Sequence, residues 1–110
     1  KVCNELIKAE VEVSPENKEK IDIVNHETRT AYELKVSGKN THHEFFKDLI
    51  KVLTYNEYQD EDSKMRTLVF VSESKGIDSL RCRLDSRFVA MLSEKHGLTI
   101  ELVSIEEVVV

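Results

Sequence analysis

Asp22, Glu33 and Lys35 are the residues whose types and spacing best suit work on a bound ligand. Asp22 sits in Ile21-Asp22-Ile23-Val24-Asn25; the other two sit in Ala31-Tyr32-Glu33-Leu34-Lys35-Val36. Both runs are rich in β-branched and aromatic residues, and the polar interval between them breaks the pattern, which predicts a β-hairpin. Alternation puts Glu33 and Lys35 on one face of the second strand, with Tyr32, Leu34 and Val36 on the other. An even-length loop (Glu27 and Thr28 alone, or His26 to Arg29) sets Asp22 across from Glu33, with Cβ atoms about 5 Å apart. An odd-length loop without a bulge separates the carboxylates. Two carboxylates that close repel unless a cation or a proton lies between them, so the pair predicts a divalent-metal site. The plainer alternative is a solvated strand face on which Glu33 pairs with Lys35 or Lys20.

Asp22, ten intervening residues and then Glu33-Leu34-Lys35 resemble the D…(D/E)xK signature of the restriction-endonuclease-like, or PD-(D/E)xK, nuclease superfamily. Ile21 stands where the family name has proline, a frequent departure. The resemblance implies a Mg²⁺ ion (Mn²⁺ as a possible substitute) held by Asp22, Glu33 and the Leu34 carbonyl, with Asp22, Glu33 and Lys35 as the catalytic set. Mg²⁺ takes one or two carboxylates plus waters and phosphate oxygens, acting as a Lewis acid and lowering the pKa of its water. Lys35, a compact cation, then orients the attacking water and offsets developing charge.

The elements that must position these residues follow in order. Residues 6 to 13 alternate as a half-buried strand, with Ile7, Ala9, Val11 and Val13 on one parity, and the stretch from Cys3 to Leu6 suits the tail of a helix. Ser14-Pro15-Glu16-Asn17 is a turn signal, which completes a three-stranded antiparallel meander. Ser37-Gly38-Lys39-Asn40 closes the third strand, and Thr41 with Glu44 matches a capping box. A helix follows to about Tyr58, its apolar stripe centred on Phe46, Leu49, Ile50 and Leu53. Thr67 to Ser72 is an apolar run, a strand covered on both faces. A second helix, capped by Asp78, carries Leu80, Leu84, Phe88, Met91 and Leu92 and stops at Gly97; a last strand covers 98 to 105. The expected fold class is α/β: a mixed central sheet flanked by helices, antiparallel meander then α-β-α-β, with a right-handed crossover through the first helix. That order is similar to the restriction-endonuclease-like core, less most of its leading helix, so residues 1–110 read as a single nuclease-like domain excised from a larger parent.

The 110 residues, 40% apolar and 34% charged, fit one globular domain. No apolar run approaches the ~20 residues of a membrane span. Cys3 and Cys82 have no metal-ligand spacing, and so few cysteines suggest buried or inert thiols in a reducing, cytoplasmic setting. A net charge of −5 argues against a nucleic-acid partner unless a metal and a local basic patch offset the field. Lys39, Lys47, Lys64, Arg66, Arg81, Arg83 and Arg87 are candidates for that patch, although acidic residues interrupt them. Glu5, Glu10 or Glu12 is a candidate further ligand, each more simply an exposed strand residue. His26, His42, His43 and His96 fit turn or helix-end positions better than catalysis. Asp48 and Lys51 read as a solvated face of the first helix, or as polar support for the site; Tyr55 and Tyr58 as core, stacking or capping residues. The leading expectation is a Mg²⁺-dependent DNA endonuclease domain of the restriction or repair kind, as a homodimer or part of a larger protein. The alternatives are a silent nuclease-like module that binds nucleic acid or a protein, and a structural α/β domain with an apolar patch near Val108, Val109 and Val110.

Overall fold

The computed structural model describes residues 6–37 and 39–108. Five strands form one sheet: β1 (Ile7–Glu12), β2 (Lys20–Asn25), β3 (Thr30–Lys35), β4 (Thr67–Ser72) and β5 (Thr99–Ser104). Their spatial order is their chain order. β1, β2 and β3 run antiparallel, and β3, β4 and β5 run parallel. The helices are α1 (Thr41–Glu57), α2 (Ser74–Arg83), α3 (Ser86–His96) and a final turn, α4 (Ile105–Val108). The fold is thus the mixed α/β arrangement expected from the pattern of elements. β3, β4 and β5 step the same way across the sheet, and crossovers of the usual right hand then put their helices on one face. Accordingly α1 packs on β2, β3 and β4 and against α2, while α2 and α3 lie on β5. No helix among the described residues is long and apolar enough to cross a membrane.

The core lies between the sheet and α1. Phe45, Leu49, Val52 and Tyr55 of α1 meet Val24, Ala31, Leu68 and Phe70 of the strands in one buried cluster. Phe45 and Phe70 pack edge to face at 5.4 Å, the offset that ring quadrupoles favour. β4 is the most thoroughly covered strand, with Leu68, Phe70 and Ser72 fully buried.

Three local expectations needed correction. The buried face of α1 is turned about one residue from the apolar stripe: Phe46 and Ile50 are exposed, whereas Asp48 and Asn56 are buried. Apolar counting misses these polar residues because each is paired, Asn56 with the backbone of Met65 and Asp48 with Lys51 one turn along the same helix. The capping position is Asn40 rather than Thr41: Asn40 is in the left-handed region and makes no side-chain cap bond, and Thr41 is already the first residue of α1. The second helix is two: the Asp85 carboxylate accepts from the N–H groups of Arg87 and Phe88 at 2.8 and 3.1 Å, starting α3 where α2 has ended. α2 itself begins at Ser74, ahead of Asp78.

β1 is more exposed than a half-buried strand, and only Val11 of it is partly covered. Glu10 there has a φ of 52°. Cys82 is exposed rather than buried; Cys3, Glu5, Val109 and Val110 lie outside the described residues. Gly97 ends α3 with a φ of 63°, as its position predicted.

Asn56 ties α1 to the segment entering β4. Its Nδ2 donates to the Met65 carbonyl at 3.0 Å, and its Oδ1 accepts the Met65 N–H at 2.7 Å. Asn56→Ala strands two buried backbone groups and is expected to cost about 2–4 kcal/mol in urea unfolding, with the slope unchanged.

Candidate metal and charge-seam site

The β2–β3 connection spans residues 26–29, and the ladder pairs Asn25 with Thr30, Val24 with Ala31 and Ile23 with Tyr32. This is the four-residue loop of the even-length expectation. Continued by one step, the count sets Asp22 across from Glu33. Regular pairing stops short of that step, and the Asp22 carboxylate accepts the Leu34 N–H at 2.9 Å instead. Asn25 closes the loop by accepting from the N–H groups of Glu27 and Thr28.

Glu33 lies on the covered side of the sheet, only 2% exposed, while Leu34 on the other side is 56% exposed. Strand polarity is inverted here: the charged residue faces the helix layer and the leucine faces out. Lys51 of α1 brings its ammonium within 3.1 Å of Glu33 Oε2 and 3.2 Å of Asp48 Oδ1, and donates to the Lys20 carbonyl at 2.7 Å. The approach to Glu33 is an ion-pair contact outside hydrogen-bond geometry, so Oε2 is buried with a cation beside it and no hydrogen bond. Lys35 does not take that place; it extends to Glu44 in the first turn of α1, at 3.9 Å.

Glu44, Asp48 and Lys51 sit at i, i+4 and i+7 on α1, one face of the helix turned to the hairpin. Four carboxylates (Asp22, Glu33, Glu44 and Asp48) therefore meet two ammoniums, Lys35 and Lys51, along one seam. Burial pushes the Glu33 carboxyl up to about 8, Asp48 and Asp22 add to the rise, and Lys51 offsets part of it. Burial also raises Asp48, with Asp22 and Glu44 contributing. Lys51 is raised too: burial opposes its charge, but the attraction of Glu33 and Asp48 exceeds that cost. Glu33 rises because burial and two like charges outweigh one cation, and Lys51 rises because two carboxylates outweigh its burial.

Asp22, Glu33 and the backbone of Leu34 thus belong to one locality, with Lys35 farther along the seam. Asp48 and Lys51, read from sequence as a solvated face, are the residues that reach Glu33. Their i, i+3 spacing was visible, but their burial was not. Among the described residues no three of His, Cys, Asp and Glu form a ready-made metal cage. The donors are nevertheless hard oxygens around an unsatisfied buried carboxylate, which suits an ion that takes one or two carboxylates and keeps its waters.

The other candidates lie elsewhere. His42 and His43 stack on each other at 4.1 Å. Tyr55 is core and Tyr58 exposed. Arg81 pairs with Asp78, and Lys64 with Glu61.

Below about 4.5 Glu33 carries its proton folded or unfolded; between there and about 8 only the folded chain keeps it, so rising pH removes stability. Glu33→Gln should flatten that slope and raise stability at pH 8 by on the order of 1–3 kcal/mol, read from urea midpoints across this range. An unchanged slope in the variant contradicts the burial of an ionisable Glu33. No family model, curated protein or solved structure matches this chain.

Proposed function

We propose that this chain is a Mg²⁺-dependent nuclease domain with a restriction-endonuclease-like core, hydrolysing phosphodiester bonds of DNA. The observation that carries the reading is the Glu33 carboxylate, buried on a hairpin beside Asp22, with Oε2 ion-paired to Lys51 at 3.1 Å but holding no hydrogen bond. The order of meander, helix, strand, helices and strand supports the core assignment. Asp22 and Glu33 would hold the ion, with the Leu34 carbonyl, and Asp48 would back them. Bound there, Mg²⁺ supplies a Lewis acid and a more acidic water.

The chain's own residues do the rest. The Leu34 N–H fixes the Asp22 carboxylate. Lys51 holds Glu33 and Asp48 together and limits the repulsion that two like charges suffer at this depth. Lys35, loosely paired and about one-third exposed, is the cation able to turn toward a phosphodiester and stabilise charge on it. Ionised Glu33 is needed to hold a dication, so at sub-saturating Mg²⁺ activity should rise with pH toward about 8, and saturating Mg²⁺ should move that rise to lower pH.

A second reading is favoured by Lys51, whose ammonium already stands beside both carboxylates. In that reading the domain keeps the fold, has an internal cation in place of a metal and binds nucleic acid or a protein without cutting.

Calorimetric titration with Mg²⁺ and a plasmid-nicking assay separate the two. The nuclease reading expects saturable Mg²⁺ binding and cleavage, with Asp22→Asn and Glu33→Gln each lowering the rate roughly 10²-fold or more. A wild-type protein that shifts DNA in a gel yet binds no Mg²⁺ and cuts nothing selects the silent module.

A further inference from the structure

Outside the carboxyl ends of β3 and β4 lies an open cleft of ≈ 820 Å³, bounded by the first turns of α1 and α2. That volume is within the usual span of small-molecule sites, about 300–1,000 Å³. None of its lining residues belongs to the charge seam.

Lys75, Ser79 and Arg83 line one wall, at i, i+4 and i+8 along α2, so their side chains form a single column. Lys39 and His42, from the β3–α1 connection and the start of α1, line the opposite wall. Lys39, Lys75 and Arg83 take no part in the ion pairs found among the described residues. Glu73 is the one carboxylate among the described residues of the lining. Three ammonium or guanidinium groups thus face one carboxylate in a chain whose net charge is −5. The His42 imidazole is held below its usual pKa by desolvation, then by His43 and by Arg83, so the Arg83 charge reaches across the cleft.

The donors in the cleft match the same ligand. Ser37 and Ser79 bring hydroxyls, and Gly76 places bare backbone in the α2 wall. α1 starts without a side-chain cap, so the positive end of its dipole opens here. The α2 start is partly occupied, because Glu106 accepts the Ser74 N–H at 3.2 Å. An uncharged or cationic ligand leaves three like charges facing one another; a phosphoryl group relieves them with charge-assisted hydrogen bonds.

We propose that this cleft binds the phosphoryl group of a nucleotide-sized ligand through Lys39, Lys75 and Arg83. The assignment does not depend on the charge seam holding a metal. The phosphoryl can come from a free nucleotide or from the end or backbone of a nucleic acid, and the chemistry is shared.

Calorimetric titration of the full chain with inorganic pyrophosphate, in chelator to exclude metal, tests the proposal. One-to-one saturable binding is expected, weakened roughly tenfold or more in the exposed double variant Lys75→Gln, Arg83→Gln. Lys18→Gln with Lys95→Gln, which removes the same charge away from the cleft, should weaken it far less. Should the first double variant fail to fold, Lys39→Gln replaces it. Asp22→Asn should leave binding intact, which separates this site from the nuclease reading. Competition by a mononucleotide or by a thymidine oligonucleotide identifies the source, the tighter competitor being the natural class. No saturable binding at millimolar pyrophosphate, or equal losses in the cleft and control variants, overturns the proposal.

Discussion

Removing a carboxylate from water is the condition that the hairpin, α1 and their packing have to satisfy together. Glu33 is on the covered face of β3, where a strand of this composition would ordinarily place an aliphatic side chain. A lone ionised carboxylate at that depth is costly. The chain limits the cost in two ways: it raises the Glu33 pKa, and it brings Lys51 across from α1. Neither response is complete, since Oε2 still lacks a hydrogen bond. Incomplete satisfaction inside an otherwise well-paired core is where local folding rules and function most often conflict.

The same condition accounts for the orientation of α1. A helix turned to bury Phe46 and Ile50 would carry Asp48 and Lys51 off the hairpin, leaving Glu33 without a cation. The observed rotation exposes two large apolar side chains and buries Asp48 and Asn56, each with a specific partner. Apolar area is given up in favour of electrostatic and hydrogen-bond matching. Lys39, Lys75 and Arg83 collect instead at the carboxyl ends of β3 and β4, one element away and outside the ion pairs found among the described residues. An acidic seam and a basic cleft thus flank the start of α1, which gives a net-acidic chain a local field of the opposite sign.

Much of this was legible in the residues. The polar interval from Asn25 to Thr28 announced the hairpin, while the choice between an even loop, which sets Asp22 across from Glu33, and an odd one needed the observed pairing. The TLVFVS run gave β4, and Gly97 marked the end of α3. The rest depended on contacts between distant positions. Lys51 is eighteen residues beyond Glu33, and nothing in its neighbourhood distinguishes it from the exposed Lys47. Lys35, one pleat from Glu33, looked the better partner, yet the helix start lets it extend to Glu44. Asp85 was hidden inside a continuous apolar stripe, because Leu84 and Phe88 keep helical spacing across the break.

The charge state of Glu33 is the most direct test of the account. With the glutamate carboxyl carbons labelled, its ¹³C shift can be followed against pH, before and after Mg²⁺ is added. The account predicts a midpoint raised from 4.5 to about 8 without metal and clearly lowered with it. A midpoint near 4.5 that Mg²⁺ leaves unmoved would mean a solvated, uninvolved side chain, and would contradict the buried metal-accepting carboxylate on which the functional reading rests.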